Sequence, residues 1–70
     1  MSEYRRALAV LAGQCPLAAQ VLVLRYVSEW SEREVAAACA LSVHALNGHL
    51  RLARTRFAAL YRRLRKEARA

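Results

Sequence analysis

The sequence is poor in residues that interrupt helices, with 2 glycines and 1 proline among its 70 residues. Hydrophobic residues make up 57% of the chain, and alanine and leucine dominate them. Because alanine and leucine form helices well, whereas glycine and proline do not, this composition predicts a small all-α domain. The length is close to the lower limit for a self-sufficient core, so we expect one domain over residues 1–70.

Long apolar runs are also lacking. No uncharged apolar stretch reaches the roughly 18 residues that a membrane-spanning helix needs. Arg5 and Arg6 near the start are not followed by an apolar block of the length found in signal peptides. We therefore expect a cytoplasmic protein with no membrane partner.

Cysteine is scarce, and the residues that bind metals are not grouped. Cys15 and Cys39 do not form a Cys-x-x-Cys pair, and His44 and His49 have no partnering motif. The chain also lacks a carboxylate pair, a nucleophile beside a base and a glycine-rich phosphate loop. We expect no metal, no cofactor and no enzymatic activity, and we interpret both cysteines as reduced structural thiols.

Acidic residues are few, 5 against 12 lysines and arginines, and the net charge is +7. Residues 1–50 hold equal numbers of basic and acidic groups, whereas residues 51–70 hold eight basic groups and only Glu67. A basic block of this kind suggests a polyanionic partner, with nucleic acid as the first candidate. The alternative is a helix face that simply carries charge into solvent.

Two helix-start signals lie in the middle of the chain. Ser31 is followed by Glu34 in a capping-box pattern, and Ser42 precedes Val43. With Gly13 interpreted as the end of a first helix, the pattern predicts helices at about 3–12, 16–28, 32–39 and 43–68. The third and fourth form a helix-turn-helix, and the fourth is the long helix of the domain.

The fourth helix has a regular apolar stripe. Its members are Val43, Leu46, Leu50, Ala53, Phe57, Leu60 and Leu64. A helix of this length spans on the order of 39 Å, more than a core of three short helices can cover. Its C-terminal half is therefore expected to pack on the first helix, to bind a partner or to fray. In the second helix we expect Leu17, Val21, Leu24 and Val27 to face the core.

Five segments occur together in a familiar order. They are Cys-Pro at 15–16, Val-Leu-Val-Leu-Arg-Tyr at 21–26, Trp-Ser-Glu-Arg-Glu-Val-Ala at 30–36, Cys-Ala-Leu-Ser at 39–42 and Ala-Arg at 53–54. Through them, residues 11–64 resemble region four of the bacterial sigma factors, especially the extracytoplasmic-function group. That family has Leu-Ser-x-x-Glu-Ile-Ala and Leu-Gly-Leu-Ser in the third and fourth segments. It usually has Gly-Thr-Val-Lys-Ser-Arg where this chain has His-Ala-Leu-Asn-Gly-His at 44–49, and a turn glycine where this chain has Ala40.

The resemblance implies a module that binds double-stranded promoter DNA and acts with the RNA polymerase core. The fourth helix would enter the major groove of the promoter element near position minus 35. The implied base-facing residues are Asn47, Gly48, Arg51 and Leu52. The implied phosphate contacts are Arg33, Ser42, His44, His49, Arg54 and Arg56. Asn47 is suited to pair with adenine and Arg51 with guanine, each through two hydrogen bonds.

A second hypothesis keeps the fold but replaces DNA reading with protein binding. Its motive is the altered Asn-Gly-His segment at 47–49 together with the apolar tail of the fourth helix. The interface residues would be Phe57, Leu60, Tyr61 and Leu64. The partner would be a second copy of the chain, RNA polymerase or an anti-sigma factor. Packing of this tail on Tyr4, Leu8 and Leu11 within one molecule is the alternative.

Overall fold

Helices make up all the regular secondary structure of residues 2–69, the part of the chain that the computed structural model describes. Helix α1 spans Glu3–Gln14 and α2 begins as Pro16–Leu22, continuing as a π-helical turn over Val23–Val27. Helix α3 spans Glu32–Ala38 and α4 spans Val43–Arg69. The predicted all-α class with a long C-terminal helix is confirmed. Within the described residues, no helix is both long enough and apolar enough to cross a membrane.

Helix α1 ends because of the proline that follows it. Cys15 has extended backbone angles, φ −150° and ψ 93°, as steric contact with the ring of the following Pro16 favours. The expectation that Gly13 ends the helix is wrong, because α1 runs through Gly13 to Gln14 and neither glycine has a positive φ. Pro16 then opens α2, where its missing N–H has no partner to lose.

The end of α2 widens into a π turn. The Ser28 N–H donates to the Val23 carbonyl at 2.9 Å, and the Trp30 N–H donates to the Leu24 carbonyl at 3.0 Å. A π turn holds more residues than an α turn, so the side chains along it are rotated away from the positions that an α-helix would give them. The expectation that Val27 faces the core is therefore wrong, since its side chain is 57% exposed.

The core lies where α1, α2 and α3 meet one side of α4. Its buried members are Leu11, Ala18, Ala19, Val21, Leu22, Val35, Ala36, Leu46, Leu50 and Ala53. The alanines let the helices approach closely, and the branched side chains fill the space between them. Within residues 2–69 no polar or charged residue is buried.

The C-terminal half of α4 packs on α1. The rings of Tyr4 and Phe57 meet edge to face with centroids 5.0 Å apart, and Phe57 stacks on Tyr61 at 5.9 Å. Leu64 is buried. Of the three expectations for this half of α4, packing on α1 is observed in the single chain. The 27 residues of α4 also give the described molecule its elongated extents of 42 × 19 × 16 Å.

Candidate nucleic-acid interface

Helix α3 begins with a complete capping box. The Glu34 N–H donates to Ser31 Oγ at 3.2 Å, and the Ser31 N–H donates to Glu34 Oε1 at 3.0 Å. The Ser31 backbone N–H, which donates to the carboxylate, is the main cause that lowers the pKa of Glu34 below its ordinary value, and the Ser31 hydroxyl adds to it. The capping box confirms the sequence signal and fixes where α3 starts.

A Schellman turn connects α3 to α4. The Leu41 N–H donates to the Ala36 carbonyl at 2.8 Å, and the Ala40 N–H donates to the Ala37 carbonyl at 3.2 Å. Ala40 has φ 55°, which lies in the left-handed region that glycine adopts without strain. The side chain of Leu41 packs against the core. The turn therefore sets the direction of α4 with an alanine at the strained position.

Helix α4 begins with a serine cap that faces solvent. Ser42 Oγ accepts from the Ala45 N–H at 3.0 Å, and both Ser42 and His44 are exposed. The hydroxyl accepts this bond and keeps its own proton as a donor. The first turn of α4 also presents unpaired backbone N–H groups and the positive end of the helix dipole. These groups are suited to an anionic oxygen.

Five residues next to this start form one open surface, which we call the proximal surface. It surrounds a concavity of about 530 Å³. Its members are His44, Asn47, Gly48, Arg51 and Arg54. All five are exposed and none is acidic. The structure thus brings together three of the four predicted base-facing residues and two of the predicted phosphate contacts.

Arg54 is held in place by a tyrosine from another helix. Its guanidinium donates from Nη1 to the Tyr26 hydroxyl at 2.5 Å. Tyr26 lies in the π turn, where the guanidinium carbon of Arg25 is 5.8 Å from its ring centroid. An arginine has five N–H donors, so this bond orients the group and leaves donors for an anion. Sequence reasoning missed Tyr26 because nothing local connects it to Arg54, 28 residues away.

Leu52, His49 and Arg56 lie on another side of α4. They line a smaller groove of about 170 Å³ with Cys15, Leu17, Ala18 and Ala53. At about 100° per residue, Leu52 is rotated by about 140° from Asn47. Leu52 therefore lies beside Gly48, about 40° away, but points away from Asn47 and Arg51 and lines the other groove. His49 is half-buried, whereas Leu52 and Arg56 are exposed.

The remaining predicted site residues are spread over the molecule. Arg33 is exposed on α3 and lines neither groove. Of the four predicted interface residues, Phe57, Leu60 and Tyr61 are half-buried and Leu64 is buried. Phe57 and Leu60 pack against the core. The tail of α4 therefore serves the fold of the single chain.

A groove that the sequence did not reveal adjoins the proximal surface. It has a volume of about 330 Å³ and is lined by Tyr4, Leu8, Leu22, Tyr26, Arg54 and Phe57. We call it the apolar groove, and Arg54 belongs to both it and the proximal surface. The sequence gives little indication of the apolar groove, because the residues that line it come from three helices that are far apart along the chain.

Residues 2–69 contain no group of three or more histidine, cysteine or acidic side chains that could hold a metal ion. Comparison of the chain with protein-family models, with curated proteins and with solved structures found no match.

Proposed function

We propose that this chain is a DNA-binding transcription module of the kind that region four of the sigma factors represents. In this proposal the first turns of α4 enter the major groove of an upstream promoter element. The observation that supports it best is the proximal surface, which joins an amide, an imidazole and two guanidinium groups on one exposed helix face without a carboxylate. This face follows directly on a capped helix-turn-helix connection.

Each side chain of the proximal surface has a chemical counterpart on DNA. Asn47 offers the donor and acceptor that match the major-groove edge of adenine, and Arg51 offers the paired donors that match guanine. Arg54, His44 and the hydroxyl of Ser42 are assigned to phosphates, which fix the position of the helix without reading sequence.

Gly48 fits between these contacts. A Cβ added at this position would meet no atom within 4 Å. The missing side chain therefore serves no neighbouring helix within the described chain. In the proposal, it lets the backbone of α4 approach the bases.

The angular positions of side chains around the axis of α4 limit which residues can contact the same bases. Asn47, Gly48 and Arg51 are kept as the base-facing set because they line one concavity, whereas Leu52 lines another and points about 140° away from Asn47. Leu52, His49 and Arg56 lie on the side of α4 that faces α2, and they are assigned to the edge of the DNA major groove. Arg33 is assigned to a phosphate next to α3. The RNA polymerase core as partner and the cytoplasm as location belong to the same proposal.

The test is selection of randomised duplex DNA by the purified protein, followed by sequencing of the bound pool. Enrichment of one short, non-palindromic motif supports a monomer that reads DNA through α4. An inverted repeat supports a dimer on two half-sites. Absence of enrichment would contradict base reading by Asn47 and Arg51.

The apolar groove favours a second candidate function, a protein-interaction module. Tyr4 and Tyr26 line the groove and remain 43% and 46% exposed, which is typical of residues at protein interfaces. RNA polymerase, an anti-sigma factor or a second copy of the chain are its candidate partners. Sedimentation equilibrium over a range of concentrations tests the second copy, because a constant monomer mass contradicts it.

A further inference from the structure

The C-terminal half of α4 carries a second basic surface, separate from the proximal surface. Its members are Arg62, Arg65, Lys66 and Arg69, and together they line a shallow groove of about 280 Å³. We call this set the distal basic stripe. All four side chains are exposed, and their spacing of three, one and three residues places them on one face of the helix.

The distal basic stripe continues the face of the proximal surface. Arg62 follows Arg51 by about three helical turns, which is about 16 Å along the axis, so both point in the same direction. Between them this face carries the small side chains of Thr55, Ala58 and Ala59. Thr55 is turned toward the backbone, since its hydroxyl donates to the Arg51 carbonyl at 3.0 Å. A flat or gently curved anion could therefore touch both ends of α4.

Negative charge is absent from this face of the described helix. Glu67 is the one acidic residue among residues 51–70, and at about 100° per residue it falls on the side of Arg63. Arg65 has its guanidinium carbon 5.8 Å from the centroid of the Tyr61 ring. A cation over a ring uses the face of the guanidinium and leaves its N–H groups in the plane.

Helix stability alone does not account for the stripe. Cations in the last turn favour the helix dipole, but this effect covers Lys66 and Arg69 and fades before Arg62. Like charges three and four residues apart repel each other and destabilise a helix by a few tenths of a kcal/mol per pair. Four neighbouring cations are better explained by an anion that they bind.

We propose that α4 lies lengthwise along the DNA duplex and that the distal basic stripe binds its phosphates beyond the bases that the proximal surface reads. This inference rests on the proposed function for the choice of duplex DNA. The proximal surface then supplies sequence preference, and the stripe supplies affinity that does not depend on sequence.

The experiment compares two triple variants that lose the same charge. R62A/R65A/R69A removes three arginines from the stripe. R5A/R6A/R63A removes three exposed arginines elsewhere, two of them on α1, which packs against the buried side of α4. Binding of a labelled duplex is measured by fluorescence anisotropy at a series of salt concentrations. Circular dichroism melts establish that both variants fold, as expected for exposed positions where alanine favours the helix.

Each phosphate contact contributes about 0.9 to the slope of log affinity against log salt. The stripe variant should therefore show a slope shallower by about 3, with the selected motif unchanged, and the control variant should keep the slope of the unsubstituted chain. R62K/R65K/R69K should keep most of the slope. In hydroxyl-radical footprinting, the stripe variant should lose protection on one flank of the motif.

Equal changes in slope for both alanine variants, or no change for the stripe variant, would overturn the inference. This failure differs from failure of the proposed function. If the pool shows no motif but the stripe variant alone loses slope on any duplex, base reading fails and the stripe stands. If the motif is found and the stripe variant keeps its slope, base reading stands and the stripe fails.

Discussion

Tyr26 and Arg54 join the π turn of α2 to the exposed face of α4 through one hydrogen bond, in which Arg54 Nη1 donates to the Tyr26 hydroxyl at 2.5 Å. The bond lies where the apolar groove meets the proximal surface, because Arg54 lines both. A guanidinium held by a fixed partner loses less side-chain freedom when it binds an anion. Tyr26 therefore acts as a positioning residue for Arg54 in the proposed DNA complex.

Tyr26→Phe tests this positioning without changing charge. We expect DNA affinity to fall several-fold. Without the Tyr26 hydroxyl, the Arg54 side chain must be ordered when DNA binds, which costs about 0.5 to 1.5 kcal/mol. Tyr61→Phe, on α4 itself, is the matched control and should leave affinity unchanged. The measurement is fluorescence anisotropy with the selected duplex. Equal DNA affinities for the two variants would contradict the role of Tyr26 in positioning Arg54.

Arg51 and Arg54 should differ in what their loss does. Arg51→Ala should cost about 1 to 3 kcal/mol on the preferred duplex and relax preference at one base pair. Arg54→Ala should weaken preferred and scrambled duplexes alike and reduce the salt slope by about 1. Titrations of both duplexes with each variant check this. If the two variants change the ratio of affinities equally, the assigned roles are wrong.

Gly48→Ala should separate stability from binding. Alanine at this open helix position is expected to stabilise the fold by about 1 kcal/mol, since the added Cβ meets nothing within 4 Å. If the backbone of α4 approaches DNA here, the same methyl group should weaken binding. Gly13→Ala, also in open space in a helix, should stabilise without any effect on DNA. Urea unfolding measures the stability of each variant, and titration of the duplex measures its affinity for DNA.

Ala40→Gly should stabilise the turn between α3 and α4. The left-handed φ of 55° at Ala40 costs an L-residue roughly 1 to 2 kcal/mol. The greater freedom of glycine in the unfolded chain offsets about 0.5 to 1 kcal/mol of that cost. We expect a net gain of about 0.5 to 1 kcal/mol in the free energy of unfolding by urea. Ala38→Gly, inside α3, should destabilise, and stabilisation by both would contradict the role of the turn.

Glu34 should make part of the stability depend on pH. Its pKa is lowered in the folded state by the hydrogen bonds from the Ser31 backbone and side chain, so its contribution to stability is fully present above the unfolded pKa. The contribution is lost as the pH falls through the lower folded pKa. Glu34→Gln keeps an acceptor for the capping box but carries no charge. The difference in free energy of unfolding between this variant and the unsubstituted chain should therefore shrink as the pH falls. Urea melts over a pH series check this, and a gap independent of pH would contradict it.

Local signals in the sequence predicted the local structure well. Ser31 with Glu34 and Ser42 before Val43 mark the helix starts because a cap needs only residues within one turn. The predicted end of α1 at Gly13 is wrong, although the residue that ends the helix is visible in the sequence. A glycine ends a helix when it takes a positive φ, and here Pro16 acts first through Cys15.

Features that depend on distant residues could not be predicted. The π turn that exposes Val27 and the bond between Tyr26 and Arg54 both depend on how α2 meets α4. The separation of Leu52 from Asn47, by contrast, follows from helical phase alone.

Helix α4 supplies four of its side chains to the buried part of the molecule and also carries both basic surfaces. Loss of tertiary structure therefore removes the binding surface at the same time. The apparent Kd equals the intrinsic Kd divided by the folded fraction. For a domain this small, any core substitution that lowers the folded fraction to one tenth should raise the apparent Kd about tenfold, without touching a single contacting residue. Ligand binding should raise the melting temperature by the same linkage.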